Sequence, residues 1–237
     1  MGIGPGDCRD MTPRATQALE VSDVVVGYKL YVDLIRPLFP GKEFVASAMR
    51  RESERCREAL DMTRAGRSVA VVCSGDAGVY GMAGLSLELR GEALDPEVEI
   101  VPGLTAAITG AALLGAPLGH DFAVISLSDL LTPWPVIKRR LECAAAGDFC
   151  IALYNPGSAK RRDSLRWACD ILLRGAAPDT VCGAARNIGR ECQSARLMTL
   201  AELRDYPADM FTTVFIGNST TRLVGGRMVT PRGYRDV

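Results

Sequence analysis

Three short turns made of small residues hold the chemistry that can be read from this chain: GIGPGD (2–7), SGDAGVYG (74–81) and PGLTAA (102–107). Glycine adopts backbone conformations closed to other residues and lets a ligand approach the main chain, so such turns bind through N–H and C=O groups. Asp76, inside the second turn, suits a cationic or hydroxyl-bearing ligand better than a phosphate. None of the three is a nucleotide fingerprint. GIGPGD lacks the G-x-G-x-x-G spacing, Pro5 removes an amide that a pyrophosphate would use, and no G-x-x-x-x-G-K-[ST] run exists. The second half adds four polar, glycine-bearing stretches or their neighbours: SLSDLLTPW (126–134), YNPGSAKRR (154–162), RNIGRE (186–191) and FIGNS (215–219). Any one of them is ordinary turn chemistry. Seven aimed at one cleft predict a cofactor and a large substrate held together.

Composition narrows the partners. The formal net charge of zero supplies no global field for nucleic acid or an anionic membrane. Lys29, Lys42, Lys138 and Lys160 are the only lysines among 28 basic residues; the rest are arginine. A planar guanidinium grips carboxylates in bidentate fashion, so this bias suits a polycarboxylate substrate, although a GC-rich genome produces the same bias. The single histidine, His120, excludes a histidine-based metal cluster, and no protein-bound metal is expected. Eight cysteines form no C-x-x-C pair and read as reduced, mostly buried thiols. There is no 18-residue uncharged run of bulky apolar residues and no signal-peptide h-region, so a cytoplasmic protein without a membrane anchor is expected.

The elements that must position these turns follow from periodicity. Residues 69–73 read as a strand buried on both faces, and the turn at its carboxyl end is where open α/β sheets place ligands. Ahead of it, the pattern predicts a helix over 11–22, with Thr12 as cap and Pro13 at the first position, and a strand over 24–28. A short helix over 31–38, a brief strand over 43–45 and an amphipathic helix over 52–65 closed by Gly66 come next. GIGPGD has no apolar run before it, so the first strand is expected to be missing. After the central turn we expect a helix over 80–90, a strand over 97–101 and a small-residue helix ending at Leu114. This alternation predicts a parallel sheet. Residues 115–121 break it with glycine and proline, which sets the expected domains at 1–117 and 118–237. The second domain should carry strands over 122–127, 149–154, 180–184 and 212–216, and helices over 136–146, 162–174 and 200–205.

In order along the chain, GIGPGD, SGDAGVYG, VPGLTAA, YNPGS and FIGNS resemble the motifs of the tetrapyrrole methylases, the S-adenosylmethionine-dependent enzymes of cobalamin and sirohaem synthesis. The resemblance covers essentially the whole chain. GHDFAVISLSDLLTPW, YNPGSAKR, RNIGRE and TPRGY resemble the ring-contracting branch, whose substrate is precorrin-3B and whose target atom is C17. The resemblance implies an α/β fold with a parallel-sheet N-terminal domain, a mixed-sheet C-terminal domain and the active cleft between them, in a homodimer. Position by position it implies S-adenosylmethionine held by Pro5, Ser74, Gly75, Asp76 and Val79, by Thr105 and Ala106, and by Asn155 and Ile188.

A sulfonium methyl is already electrophilic, so the protein's main task would be alignment. Ring contraction also moves a proton at a substrate oxygen. His120, the one imidazole, and Asp129, in the SLSD loop, are the acid–base candidates, against a hinge role for His120 and a helix-cap role for Asp129. Ser126 and Ser128 of that loop, with Arg186 and Arg190, are the candidate substrate-binding residues, the arginines pairing with peripheral carboxylates. Two other readings stay open: a sibling methylase acting at another macrocycle carbon, and a non-catalytic tetrapyrrole-binding protein. A metal-free and a cobalt-containing macrocycle are equally compatible with these residues.

Overall fold

The computed structural model describes residues 1–92, 95–158 and 161–235. The local signals of the first half act as their chemistry requires. Thr12 Oγ1 accepts the Ala15 N–H at 3.1 Å and Pro13 fills the first helical position, which starts α1 (Pro13–Val21). β1 (Val24–Tyr28) is buried along nearly its whole length, as a run of valines predicts. There follow α2 (Lys29–Ile35), β2 (Glu43–Ser47), α3 (Glu52–Arg64), β3 (Val69–Val72) and α4 (Ala83–Arg90). In α3, Glu52 and Glu54 in the first turn and Arg64 in the last complement the helix dipole, while Cys56, Ala59 and Leu60 face inward. β1 lies between β2 and β3, all three parallel, so their carboxyl ends share one sheet edge.

Ahead of the GIGPGD turn no strand is formed: residues 1–3 reach β3 only through an isolated bridge. Ile3 N–H donates to Cys73 O at 3.0 Å, Cys73 N–H to Met1 O at 3.1 Å, and Gly2 pairs in parallel with Cys73. Residues 97–101, expected as a strand, form none; Gly2 N–H donates to Val101 O at 3.0 Å, but no ladder runs along the segment. A strand needs a partner along its length. The helix expected from Tyr80 begins at Ala83, since Tyr80 takes a left-handed φ of 55°.

The chain divides into two compact units, Met1–Thr105 and the remainder from Ala106. A boundary at 117/118 would have given α5 (Ala106–Leu114) to the first unit; its packing instead puts it with the second. That unit continues with β4 (Gly115–Ala116), β5 (Phe122–Ser126), α6 (Trp134–Ala146), β6 (Cys150–Tyr154) and α7 (Ser164–Leu172). β7 (Val181–Arg186), β8 (Ser194–Thr199), α8 (Leu200–Leu203), β9 (Thr212–Ile216), β10 (Arg222–Val224) and β11 (Arg227–Val229) complete it. Five strands form a mixed sheet in the order β5-β6-β9-β7-β8, with β5 and β6 parallel and the other pairs antiparallel. One face packs Leu127, Ile151, Leu153 and Val214 against Ile137, Leu141, Leu165 and Leu172 of α6 and α7. The other face packs Ala152, Ala185 and Phe215 against Ala107, Ala111 and Leu114 of α5. The small residues of α5 are the reason it lies so close: a Cβ at Gly110 would sit 2.9 Å from Ile188 Cδ1 and 3.0 Å from Phe215 Cζ.

Five of the eight cysteines are buried and all are free. Burial pushes the Cys169 thiol up to about 12, so it stays protonated and inert.

Candidate active site

In the N-terminal unit the three small-residue turns meet backbone to backbone. Gly4 N–H donates to Gly75 O at 3.2 Å and Gly75 N–H returns a bond to Gly4 O at 2.7 Å. A Cβ on Gly2 would run into Gly75 O and lie 2.9 Å from Gly103 N; one on Gly103 would run into Gly75 O and lie 2.8 Å from Gly2 C and O. Only glycine allows this approach. Asp76 then ties the turns together. Its Oδ1 accepts from Gly78 N at 2.7 Å and Val79 N at 3.0 Å, and its Oδ2 from Gly103 N at 2.9 Å. Burial alone would raise the Asp76 carboxyl, but N–H donation from Gly103, Gly78, Val79 and Ala77 together holds it below the usual aspartate value. The result is a fixed anion at the carboxyl edge of a parallel sheet.

The expected cofactor residues of this unit are distributed around that knot. Pro5 is buried in the first turn. Ser74 Oγ lies 3.4 Å from Gly4 O, and Val79 is half-buried. Thr105, half-buried, closes the unit.

In the second unit the loops are held by side chains. Ser126 and Tyr154 are register partners at the ends of β5 and β6. Asn155, the next residue, takes a left-handed φ of 54°, which asparagine tolerates better than most residues. Its Nδ2 donates to Ser126 Oγ at 3.0 Å, and Ser128 N–H donates to the same oxygen at 3.2 Å. Ser126, Ser128 and Asn155 are therefore one cluster. Arg161 braces it, with Nη1 donating to Leu127 O at 3.3 Å and Nε 3.8 Å from Asp129 Oδ1. Tyr154 Oη accepts Ala107 N–H at 2.7 Å and satisfies one of the open donors of α5 directly after Ala106.

β7 is antiparallel to β9, which is antiparallel to β6, so Arg186 emerges at the same sheet end as Tyr154. It does not wait unpaired for a substrate. Arg186 Nε and Nη2 both donate to Asp209 Oδ2 at 2.8 Å, and Asp209 Oδ1 accepts from Phe211 N at 3.0 Å and Thr212 Oγ1 at 2.8 Å. Burial opposes ionisation of Asp209, but Arg186, Thr212 and Phe211 together lower its carboxyl below the usual value. Ile188 is buried against α5, and the Arg190 guanidinium stands 5.6 Å from the centre of the Phe211 ring.

The acid–base candidates are not brought together. Asp129 lies three residues beyond the end of β5, in the Ser126 cluster, whereas His120 precedes the start of the same strand. Six extended residues separate His120 from Ser126, a distance of about 20 Å along the strand direction. His120 is half-exposed there, with Nδ1 accepting the Asp121 N–H at 2.8 Å. The residues that sequence reading missed are Tyr154, Arg161 and Asp209 in their holding roles. The first two sit inside a motif that had been singled out; Asp209 has no local signal, since its partner is 23 positions away.

Among the described residues, no cluster of three histidine, cysteine or acidic side chains could hold a metal, and no helix is long and apolar enough to cross a membrane. Comparison with known proteins places these turns in a family. The model for Tetrapyrrole (Corrin/Porphyrin) Methylases matches residues 1–204. A probable cobalt-factor III C(17)-methyltransferase of Salmonella typhimurium is 47% identical over 99% of this chain and 98% of its own length. A precorrin-3B C(17)-methyltransferase of Sinorhizobium sp is 43% identical over 99% of this chain and 95% of its own. The crystal structure of the methyltransferase CobJ matches with a TM-score of 0.90 at 39% identity, over 97% of each chain. With both the glycine-knotted turns and the mixed-sheet loops in place, the chain belongs to the tetrapyrrole (corrin/porphyrin) methylases.

Proposed function

We propose that this chain is an S-adenosylmethionine-dependent methyltransferase that methylates C17 of a precorrin-3B or cobalt-factor III macrocycle, with ring contraction, in cobalamin biosynthesis. The observation that carries the reading is identity of 47% and 43% to two relatives bearing C17-methyltransferase names, each over nearly the full length of both proteins. The site chemistry agrees. Asp76 is a carboxylate held ionised at the carboxyl edge of the parallel sheet, which suits a ligand carrying a sulfonium and an ammonium. Bound S-adenosylmethionine would supply an electrophilic methyl group.

In this reading Pro5, Ser74, Gly75, Asp76 and Val79 hold the donor together with Thr105, Ala106, Asn155 and Ile188. The knot of Gly2, Gly75 and Gly103 fixes the first three turns before a ligand arrives, so little ordering remains to be done on binding. Ser126, Ser128, Arg186 and Arg190 position the macrocycle, Arg186 offering the part of its donor fork that Asp209 leaves free. Asp129 is the better placed acid–base group, since it shares a loop with Ser126 and Ser128. The protein acts in the cytoplasm as a homodimer.

Calorimetric titration with S-adenosylmethionine is the first test, followed by product mass with metal-free and cobalt-loaded macrocycles supplied in parallel. One donor per chain and a mass gain of one methyl group, mapped to C17, are expected. Methylation at another carbon would select the sibling activity. Macrocycle binding without donor binding would select a carrier.

A further inference from the structure

We propose, on the S-adenosylmethionine-dependent methyltransferase reading above, that Tyr80 is a substrate-positioning residue whose ring stands out from the donor turn as a platform for one face of the macrocycle. Tyr80 lies in SGDAGVYG, beyond the carboxyl end of β3 and four positions after Asp76. Two properties meet in it. Its φ of 55° lies in the left-handed region, and the residue is 56% exposed. Neither the core nor the donor-binding set accounts for a large aromatic side chain held in that way.

The left-handed conformation crowds Cβ against the backbone, a cost that glycine escapes and that asparagine and aspartate soften. Among the described residues six non-glycine positions adopt it; Asp148, Asn155 and Asn187 are of the tolerant types, and Tyr80 is the only aromatic. Gly75, earlier in the same turn, meets its φ of 72° with glycine. The segments around Tyr80 hold it in place. Asp76 Oδ1 takes the amides of Gly78 and Val79, Ala83 N–H closes back onto Ala77 O at 2.9 Å, and a Cβ on Gly81 would run into Ala77 O and Asp76 O. Ala77 and Met82, on either side of the tyrosine, are buried with Cys73 and Ala83 against Tyr31. The turn is anchored before and after Tyr80, and its ring is left in water. Backbone strain imposed by the surroundings in this way gathers at ligand sites.

The reaction supplies the occupant. Methyl transfer needs the acceptor carbon about 3–3.5 Å from the methyl group, so the macrocycle must lie against the bound donor. A macrocycle of linked pyrrole-type rings extends well past the one carbon that reacts, and a side chain projecting from the donor turn meets one of its faces. Arginine suits the carboxylate rim of such a substrate, whereas an aromatic ring suits the flat unsaturated face, by offset stacking or edge-to-face contact. Tyrosine offers that area with only two side-chain torsions to fix. More aromatic surface stands at the same sheet edge. Tyr28 ends β1, the neighbour of β3, and its ring meets that of Tyr31 edge to face at 5.2 Å.

The whole chain is compared with Tyr80→Gly and Tyr80→Phe by thermal melting, by calorimetry with S-adenosylmethionine, and by steady-state methylation of metal-free and cobalt-loaded precorrin-3B macrocycles. Glycine fits the left-handed φ, so Tyr80→Gly is expected to melt no more than about 2 °C below the unaltered chain. It should bind the donor within about twofold and raise KM for the macrocycle about tenfold, with kcat nearly unchanged. Tyr80→Phe keeps the ring and should bring KM back to within about threefold of the unaltered value. A melting temperature lowered by more than about 5 °C in Tyr80→Gly would assign the ring to the fold. A loss of donor affinity as large as the rise in KM would assign it to the donor. An unchanged KM, or Tyr80→Phe as impaired as Tyr80→Gly, would overturn the platform while the unaltered chain still methylates its substrate. Donor binding with no methylation by the unaltered chain would overturn the methyltransferase reading, and the platform with it.

Discussion

The candidate residues of the two units are held by different materials. In the N-terminal unit, Gly2, Gly75 and Gly103 pack main chain on main chain, and the one carboxylate among them spends three hydrogen bonds on backbone amides. In the C-terminal unit, Ser126, Asn155, Arg161, Tyr154 and the Arg186–Asp209 pair hold their loops through side chains. A backbone knot has no substitute residue, whereas a side-chain brace can be loosened by degrees. The first arrangement suits a ligand that must meet a fixed surface, and the second suits a large macrocycle whose substituents are read one by one.

The sharpest way to break that contrast is Gly103→Ala. Its Cβ would collide with Gly75 O and Gly2, so a stability loss of about 3 kcal/mol or more is expected in denaturant unfolding, with loss of donor binding. A loss below about 1 kcal/mol would mean the turns have slack.

Asp76→Ala comes next. It strands the amides of Gly78, Val79 and Gly103 and should cost about 1–3 kcal/mol, together with weaker S-adenosylmethionine binding by calorimetry. The native carboxyl is depressed, so the stability it contributes is full above the unfolded aspartate value near pH 4 and is lost as pH falls through the folded value. Melting temperatures measured between pH 6 and pH 3 should therefore fall less steeply for Asp76→Ala than for the unaltered chain. Parallel curves would deny the carboxylate its role.

In the C-terminal unit the effects shrink. Arg186→Met breaks a half-exposed pair and should cost less than about 1 kcal/mol of stability. Its signature should be kinetic: KM for the macrocycle raised about tenfold with kcat nearly unchanged, as for a group that binds ground and transition states alike. An unchanged KM would confine Arg186 to holding Asp209.

His120→Ala should do least. The imidazole lies at the opposite end of β5 from Ser126 and Asp129, and turnover within about twofold of the unaltered chain is expected. A hundredfold drop would restore it as the acid–base group.

Much of this arrangement was legible in the chain itself. Thr12-Pro13 started a helix, the valine runs of β1 and β3 became buried parallel strands, and Gly66 closed α3, because caps, branched side chains and left-handed turns act within a few residues. The glycine-rich turns were identifiable for the same reason. β8 escaped notice because it is an edge strand in which only Met198 is buried, so no apolar alternation marks it. α5 was assigned to the wrong side of the domain break because a turn rich in glycine and proline is a local signal, while allegiance to a core is not.

What the sequence determined by itself is the set of turns, their order and the strands that deliver them, all consequences of short-range stereochemistry and hydrophobic periodicity. Tertiary structure decided what those residues face. It turned Asp76 inward onto the amides of residue 103, joined Asn155 to Ser126 and Arg186 to Asp209, and set His120 apart from Asp129 at the other end of one strand. Each of these depends on segments from about 20 to 30 positions apart, or on strand direction, and becomes fixed only when the sheets close and buried polar groups must find partners.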